Sequence, residues 1–419
     1  MALTKLTTDL IDSTIVTSVN GSTGAVTLGT GTDWQATAKT ADFTAVAGEG
    51  YFVDTTSSAI TVTLPSSPTA GDEVSFIDYG ANASTNNITL DPGTLNLRGS
   101  TDDLILSTNG QALNLVYSEA SKGWLVNYDA GGTLPFTQSF SADFLVVAGG
   151  AGATSDISGG GGAGGLRTSY GSTSGGGAVA ESSLNIITNT NYNVTIGAGG
   201  AGIASQNVPA TLNGSNSQFD SITSIGGGGP SRAGVDAASG GSGGGVARSH
   251  QGVYSAAPGT VGQGFAGGPD ADAVAGAGGG GAGAAGSAAS GGSNPSTGGA
   301  GGNGLAVSIT GSSVTYAGGG GGGGYYTSGG IGGTGGGGNG GSGNANNNAT
   351  NGVANTGGGA GGGEQNATAA RSGGSGVVIL RYPNTYTINI GSGIAGSTAS
   401  DGSDSITTLT SGVGTISFS

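Results

Sequence analysis

Thr315-Tyr316-Ala317-Gly318-Gly319-Gly320-Gly321-Gly322-Gly323-Gly324-Tyr325-Tyr326 is the stretch on which the reading of this chain turns. A β-prone segment runs straight into seven glycines and ends on two aromatics. The glycines are poor helix formers, each costing roughly 1 kcal/mol relative to alanine. A collagen-like triple helix needs glycine at every third position, and that period is absent. What remains is an extended backbone with three residues per turn and no internal hydrogen bonds, whose N–H and C=O groups point outward and must find partners. Without side chains, several such segments can lie side by side and bond to one another. The glycine runs are therefore expected to form a bundle of polyglycine-II helices, with polar loops at the turns. Ordering glycine has a large entropic cost, so only a dense, cooperative bundle offsets it.

The rest of the chain sets this stretch in context. Of 97 glycines in 419 residues, 14 lie before residue 141, so two materials are joined end to end. Glycine blocks fall at 159–162, 226–229, 278–281, 318–324, 335–338 and 357–363. Between them stand apolar segments such as Tyr192-Asn193-Val194-Thr195-Ile196 and Leu305-Ala306-Val307-Ser308-Ile309. Such composition often signals disorder. Phe144-Leu145-Val146-Val147 and Val377-Val378-Ile379-Leu380 argue against it, because both are aggregation hazards if left exposed. They bracket the glycine-rich stretch and are expected to pair or pack, closing it.

Upstream, residues 33–129 read as a β-sandwich or barrel. Period-2 alternation recurs in Ile60-Thr61-Val62-Thr63-Leu64, Val74-Ser75-Phe76 and Leu113-Asn114-Leu115, with turn formers between the runs. Residues 1–32 contain two short strand-like runs around Asn20-Gly21, a hairpin signal, in too little chain to bury a core alone. The organisation expected is an attachment segment 1–32, the β domain 33–129, a linker 130–135, the glycine-rich domain 136–382 and a β-rich tail 383–419. The fold class expected from these patterns is all-β and modular, with a polyglycine-II bundle; the fibrous, homotrimeric part of the expectation comes from the resemblance given below.

The composition argues against several functions. Charged residues are 8% of the chain and the formal net charge is −15, with nine scattered Lys and Arg, so phosphate neutralisation lacks its basic cluster and no nucleic-acid partner is expected. There is no cysteine, and His250 is the single histidine, so a zinc site or a catalytic triad has no donor set. Asp102-Asp103 precedes Leu104-Ile105-Leu106 and reads as a turn, not a glycosidase pair across a groove. Chance G-x-G-x-x-G matches lack a βαβ context. No enzyme activity, cofactor or metal is expected, and no apolar run approaches the roughly 20 residues that span a bilayer. Met1-Ala2-Leu3-Thr4-Lys5 lacks the apolar core of a secretory signal, so the protein is expected either to stay in the cytoplasm or to leave the cell by lysis.

Recognition is a better use for the residues that interrupt glycine. Tyr325 and Tyr326 sit between two blocks. Tyr254 and Phe265 flank the insertion 230–265, which also holds Arg248 and His250, and Tyr170 follows the first block. Aromatics outside core alternation suit stacking on sugars or packing on proteins. Their bland alternative is to staple the bundle edge. Asn346 and Asn347 lie in an Asn/Ala/Thr loop whose amides suit hydroxyl-rich ligands.

Ser18-Val19-Asn20-Gly21-Ser22-Thr23-Gly24-Ala25-Val26-Thr27-Leu28 resembles a repeated segment of trimeric phage tail fibres, of the Ser-Val-Asn-Gly-x-Thr-Gly-x-Val-x-Leu type. Val46-Ala47-Gly48-Glu49-Gly50-Tyr51-Phe52-Val53-Asp54-Thr55 resembles a β domain of marine bacteriophage fibres. The stretch from Phe144-Leu145-Val146-Val147-Ala148-Gly149-Gly150 to Gly376-Val377-Val378-Ile379-Leu380-Arg381-Tyr382 is similar to the glycine-rich domain of such proteins. It is also loosely similar to the tip adhesin of T-even-like long tail fibres, in which loops between polyglycine helices meet the receptor. The resemblance implies a virion tail fibre that attaches to the host cell. Its partners would be a host surface glycan or outer-membrane protein at the loops, and other tail or baseplate proteins at the N-terminus. The fibre-like segment favours a homotrimer. A purely structural filament and a polysaccharide depolymerase are the alternatives.

Overall fold

The computed structural model describes residues 18–19, 22–23, 32–129, 137–204, 212–232, 235–247, 255–269, 273–292, 294–343 and 348–419. The chain divides into two compact units, Met1–Gln138 and Ser139–Ser419. Among the described residues there is no α-helix and no closed barrel; strands and extended segments make up both units.

In the first unit the chain winds between two facing sheets. Asp33–Trp34, Glu49–Val53 and Glu73–Asp78 lie side by side in one sheet and pair in parallel. Phe43–Thr44, Ile60–Thr63 and Ile88–Asp91 do the same in the other. Successive strands alternate between sheets, so this is a short solenoid of stacked coils. Ala112–Glu119 and Gly123–Asp129 close the first sheet with a hairpin, and Leu104–Leu106 adds to the second. Thr137 and Gln138, at the start of the strand Thr137–Val147, pair with Ile105 and Leu104. The period-2 alternation picks out the core: Ile60, Val62, Val74, Phe76, Ile88, Leu90, Leu113 and Leu115 are buried between the sheets with Trp124. Ser18–Val19 pairs with Ser22–Thr23, about the turn expected at Asn20-Gly21, which itself lies outside the described residues.

The second unit is organised by the two apolar runs. Phe144 to Val147 pair antiparallel with Leu380 to Val377, as expected. Both faces of the pair are covered. Phe144, Val146, Val378 and Leu380 join Tyr192, Phe219 and Phe418 in one cluster, while Leu145, Val147, Val377 and Ile379 join Val307, Ile309 and Tyr316 in another. Double-sided burial explains why these strands read as unbroken apolar runs. Asp404–Phe418 pairs with Val377–Pro383 and also with Tyr192–Thr195, Ile388–Ile390 and Ile394–Asp401.

The glycine-rich segments leave from this sheet, and their backbone bonds repeat every third residue. In 148–153, Ala148 and Ala151 N–H donate to Gly165 and Gly162 O, Gly149 and Gly152 to Ser215 and Leu212 O, and Gly150 and Ala153 to Gly374 and Arg371 O, all at 2.8–3.0 Å. The seven glycines 318–324 follow the same rule. Gly318, Gly321 and Gly324 donate to Gly335, Gly338 and Gly341; Gly319 and Gly322 donate to Gly302 and Gly299; Gly320 and Gly323 donate to Gly161 and Ser158. Residues 160–165 repeat the pattern with three further segments.

All seven glycines are buried, and none has a positive φ. A Cβ built at Gly320 would lie 1.9 Å from Ala360 O, at Gly321 2.0 Å from Gly330 O, and at Gly322 2.0 Å from Gly276 O. These three oxygens belong to three different neighbours, so no side of the run has room for a methyl group. The glycine is there for close approach.

Gly320→Ala is therefore expected to destabilise the chain by about 1–3 kcal/mol, the cost of overpacking a close-packed site. Gly292 has nothing within 4 Å of a built Cβ, and Gly292→Ala should stay within about 0.5 kcal/mol of the parent. Urea unfolding of the two variants beside the parent checks both; equal midpoints would show that the runs are not closely packed.

Candidate functional site: the turns at the far ends of the glycine segments

The hydrogen bonds fix which end of each segment meets the sheet. Residues 148–153 start at the sheet and run outward from Val147. Segment 158–165 returns, placing Gly165 beside Ala148, after which Leu166–Thr168 pairs with Val147 to Leu145. The turn at 154–157 is therefore at the far end. The same accounting places other turns there. Ser158 N–H donates to Gly363 O, Ala153 N–H to Arg371 O, Gly276 N–H to Gly323 O, and Ser155 Oγ to Ala204 O. Ala247 N–H donates to Ser231 Oγ at 2.6 Å and Gly343 N–H to Thr327 O at 2.8 Å.

Tyr325 and Tyr326 belong to this far end. Tyr325 N–H donates to Ser296 O at 2.8 Å and Tyr325 O accepts from Ser296 N–H at 3.0 Å. Ser296–Thr297 in turn pairs with Ser290–Gly291. Thr327 Oγ1 donates to Ser296 O at 2.8 Å and lies 3.1 Å from Thr297 Oγ1. The two tyrosine rings meet edge to face, with centroids 4.5 Å apart. Tyr326 is 49% exposed and has a φ of +57°. Left-handed backbone at a bulky residue is strained by about 1–3 kcal/mol and persists only where the surroundings impose it. Here the bonds to Ser296 and the Thr297/Thr327 hydroxyl pair impose it. The result is an exposed aromatic face beside hydroxyls, suited to non-covalent recognition of sugar C–H faces or peptide side chains. The serine and threonines were not legible as partners, because nothing in the sequence links them to Tyr325 across some thirty residues.

Two other candidates sit elsewhere. Tyr170 packs against the sheet-side cluster, under the Arg381 guanidinium at 5.6 Å. Arg381 also pairs with Asp401 at 2.8 Å and Asp404 at 2.7 Å. Phe265 is a rung of the hydrogen-bonded array: its N–H donates to Gly281 O and its carbonyl accepts from Gly243 N–H, both at 3.0 Å. Neither is brought together with Tyr326. Arg248, His250, Tyr254, Asn346 and Asn347 lie outside the described residues. Among the described residues, no group of three His, Cys, Asp or Glu is placed to hold a metal ion.

Residues 130–383 match the glycine-rich domain family. The match covers more than half of the chain, and the chain belongs to that family. No curated protein matches it.

Tyr326→Gly removes both ring and strain. Relief of the left-handed strain offsets the greater freedom of glycine in the unfolded chain, so unfolding stability is expected to stay within about 0.5 kcal/mol of the parent. A loss above about 2 kcal/mol on urea unfolding would mean that the ring is a packing element.

Proposed function

We propose that the chain is a non-enzymatic tail fibre protein of a bacteriophage, which attaches the virion to the host cell surface through the far-end turns of its glycine-rich domain. On this reading the glycine segments are polyglycine-II helices. Their support is the three-residue period of the inter-segment bonds, since a backbone with three residues per turn presents positions i and i+3 to the same neighbour. The observation that carries the reading is the two-ended arrangement: one end of the segments rests on a buried sheet, and the opposite end presents Tyr326, strained and exposed, against the half-buried Tyr325 and among hydroxyls. Rigid scaffolds that carry variable turns are the usual way to present binding residues. The fibre-like segment at 18–28 supports attachment to other tail or baseplate proteins and assembly as a homotrimer. The host ligand is a surface glycan or an outer-membrane protein.

The test uses point substitutions, because Gly330 and Gly333 of the following segment are themselves bonded into the array. Fluorescently labelled full-length chain is pelleted with a panel of whole bacterial cells after its mass in solution is read by light scattering. A mass of three chains and saturable binding to at least one strain are expected, with binding lost in the Tyr325→Ala, Tyr326→Ala double variant. Binding to no strain would overturn the attachment reading; undiminished binding by the double variant would move the site away from these tyrosines; a monomer mass would overturn the trimer.

A further inference from the structure

Away from the tyrosine pair, an open cleft of about 150 Å³ lies where 212–213, 229–232 and 235–238 meet. Arg232 and Val235 exchange backbone hydrogen bonds at 3.0 and 2.8 Å, which holds Val235 opposite Arg232. Leu212 and Pro230 are buried and give the cleft an apolar floor. Asn213, Arg232 and Asp236 provide its polar groups, and Ala238 closes one side. The small size of the cleft suits a single sugar ring better than a longer chain.

We infer that this cleft is a binding subsite for one neutral hexose residue of a surface glycan. The inference rests on the attachment reading above and specifies a ligand for it. The polar chemistry selects the class. Asn213 Oδ1 accepts from Gly229 N–H at 2.9 Å, so the amide NH₂ is left as a donor. Asp236 Oδ1 takes one long contact, from Ser255 N–H at 3.5 Å, which leaves carboxylate lone pairs for hydroxyl donors. Arg232 contributes guanidinium donors and no acceptor. A carboxylate acceptor and an amide donor on one lining match adjacent hydroxyls, each of which both donates and accepts. An anionic sugar would set its charge against Asp236, and a cationic one against Arg232. The floor of Leu212 and Pro230 meets the C–H face of the ring, the mixed apolar and polar lining typical of small-ligand sites.

Full-length chain is titrated with methyl α-glucoside, methyl α-galactoside and methyl α-mannoside by saturation-transfer NMR and calorimetry, with N-acetylneuraminate as the anionic control. The expected result is one weak, saturable site per chain for at least one hexoside and none for the control. Asp236→Asn should weaken binding on the order of tenfold, by loss of a charge-assisted hydrogen bond. Ala238→Phe, which fills the cleft, should abolish it, and Tyr326→Ala should leave it unchanged. Should Ala238→Phe fail to fold, Asp236→Asn alone decides. Failure of all three hexosides to saturate, equal or tighter binding of the acid sugar, or insensitivity to Asp236→Asn would overturn the subsite. If parent chain binds cells but no hexoside, the subsite falls and attachment stands; if it binds a hexoside but no cells, the reverse holds.

Discussion

The lateral backbone hydrogen bond between extended glycine segments is the interaction on which the second unit depends. A buried N–H or C=O without a partner costs as much as a lost hydrogen bond. The N–H groups of Gly318 to Gly324 and the carbonyls of Gly318 to Gly323 meet that requirement through other segments, at 2.8–3.0 Å. Such bonds require the backbones to come so close that a methyl group would reach within about 2 Å of a neighbouring carbonyl oxygen. Composition follows directly from this geometry: glycine fills the runs because neighbours crowd them on three sides, while alanine enters both fully buried, at Ala163, Ala282 and Ala360, and exposed, at Ala198 and Ala300.

Having few side chains inside the array has a second consequence. Apolar burial, the dominant favourable term in folding, has to come from elsewhere. It is concentrated in the sheet, where Phe144 to Val147 and Val377 to Leu380 bury side chains on both faces. Chemistry beyond the backbone is then confined to the turns. Those at the sheet side are drawn into packing, as Tyr170 is beneath Arg381. Those at the opposite end are left to carry Tyr326 in a backbone conformation that free chain would avoid.

The parts of this architecture that rest on side chains were legible in the sequence. The alternation of Ile60-Val62, Val74-Phe76 and Leu113-Leu115 marked the core of the first unit, and two continuous apolar runs marked a doubly buried pair. Alternation, however, gives only the face of a strand and not its partner, so the parallel stacking of Glu49–Val53 on Glu73–Asp78 was not legible. Glycine is blinder still. A run such as 318–324 has no pattern from which register, direction or neighbour can be read, and so the placement of Phe265 within the array and of Tyr326 at its far end had no signal in the sequence. For Tyr170 a signal existed: an arginine closing the apolar run Val377-Val378-Ile379-Leu380-Arg381 needs a partner where the strand leaves the core, and an aromatic face is one.

If glycine carries no register, something else must supply it, and the strands do. Segment 148–153 is bonded at once to 162–165, 212–215 and 371–374, stretches separated by up to more than two hundred residues. Each of these stretches is joined directly to a strand: 165 to Leu166–Thr168, 215 to Ser217–Phe219, and 374 to Val377–Pro383. The strands have unique partners because their side chains do. Val147 opposite Val377 fixes where Ala148 begins, and every third residue beyond it inherits that registration. A one-residue slip in a segment would exchange its three neighbours, leave its end bonds unmade and be refused by the sheet, where the same slip turns each side chain to the wrong face. The sheet is thus the ruler for an array that cannot measure itself, and the turns can differ in length and chemistry without disturbing it.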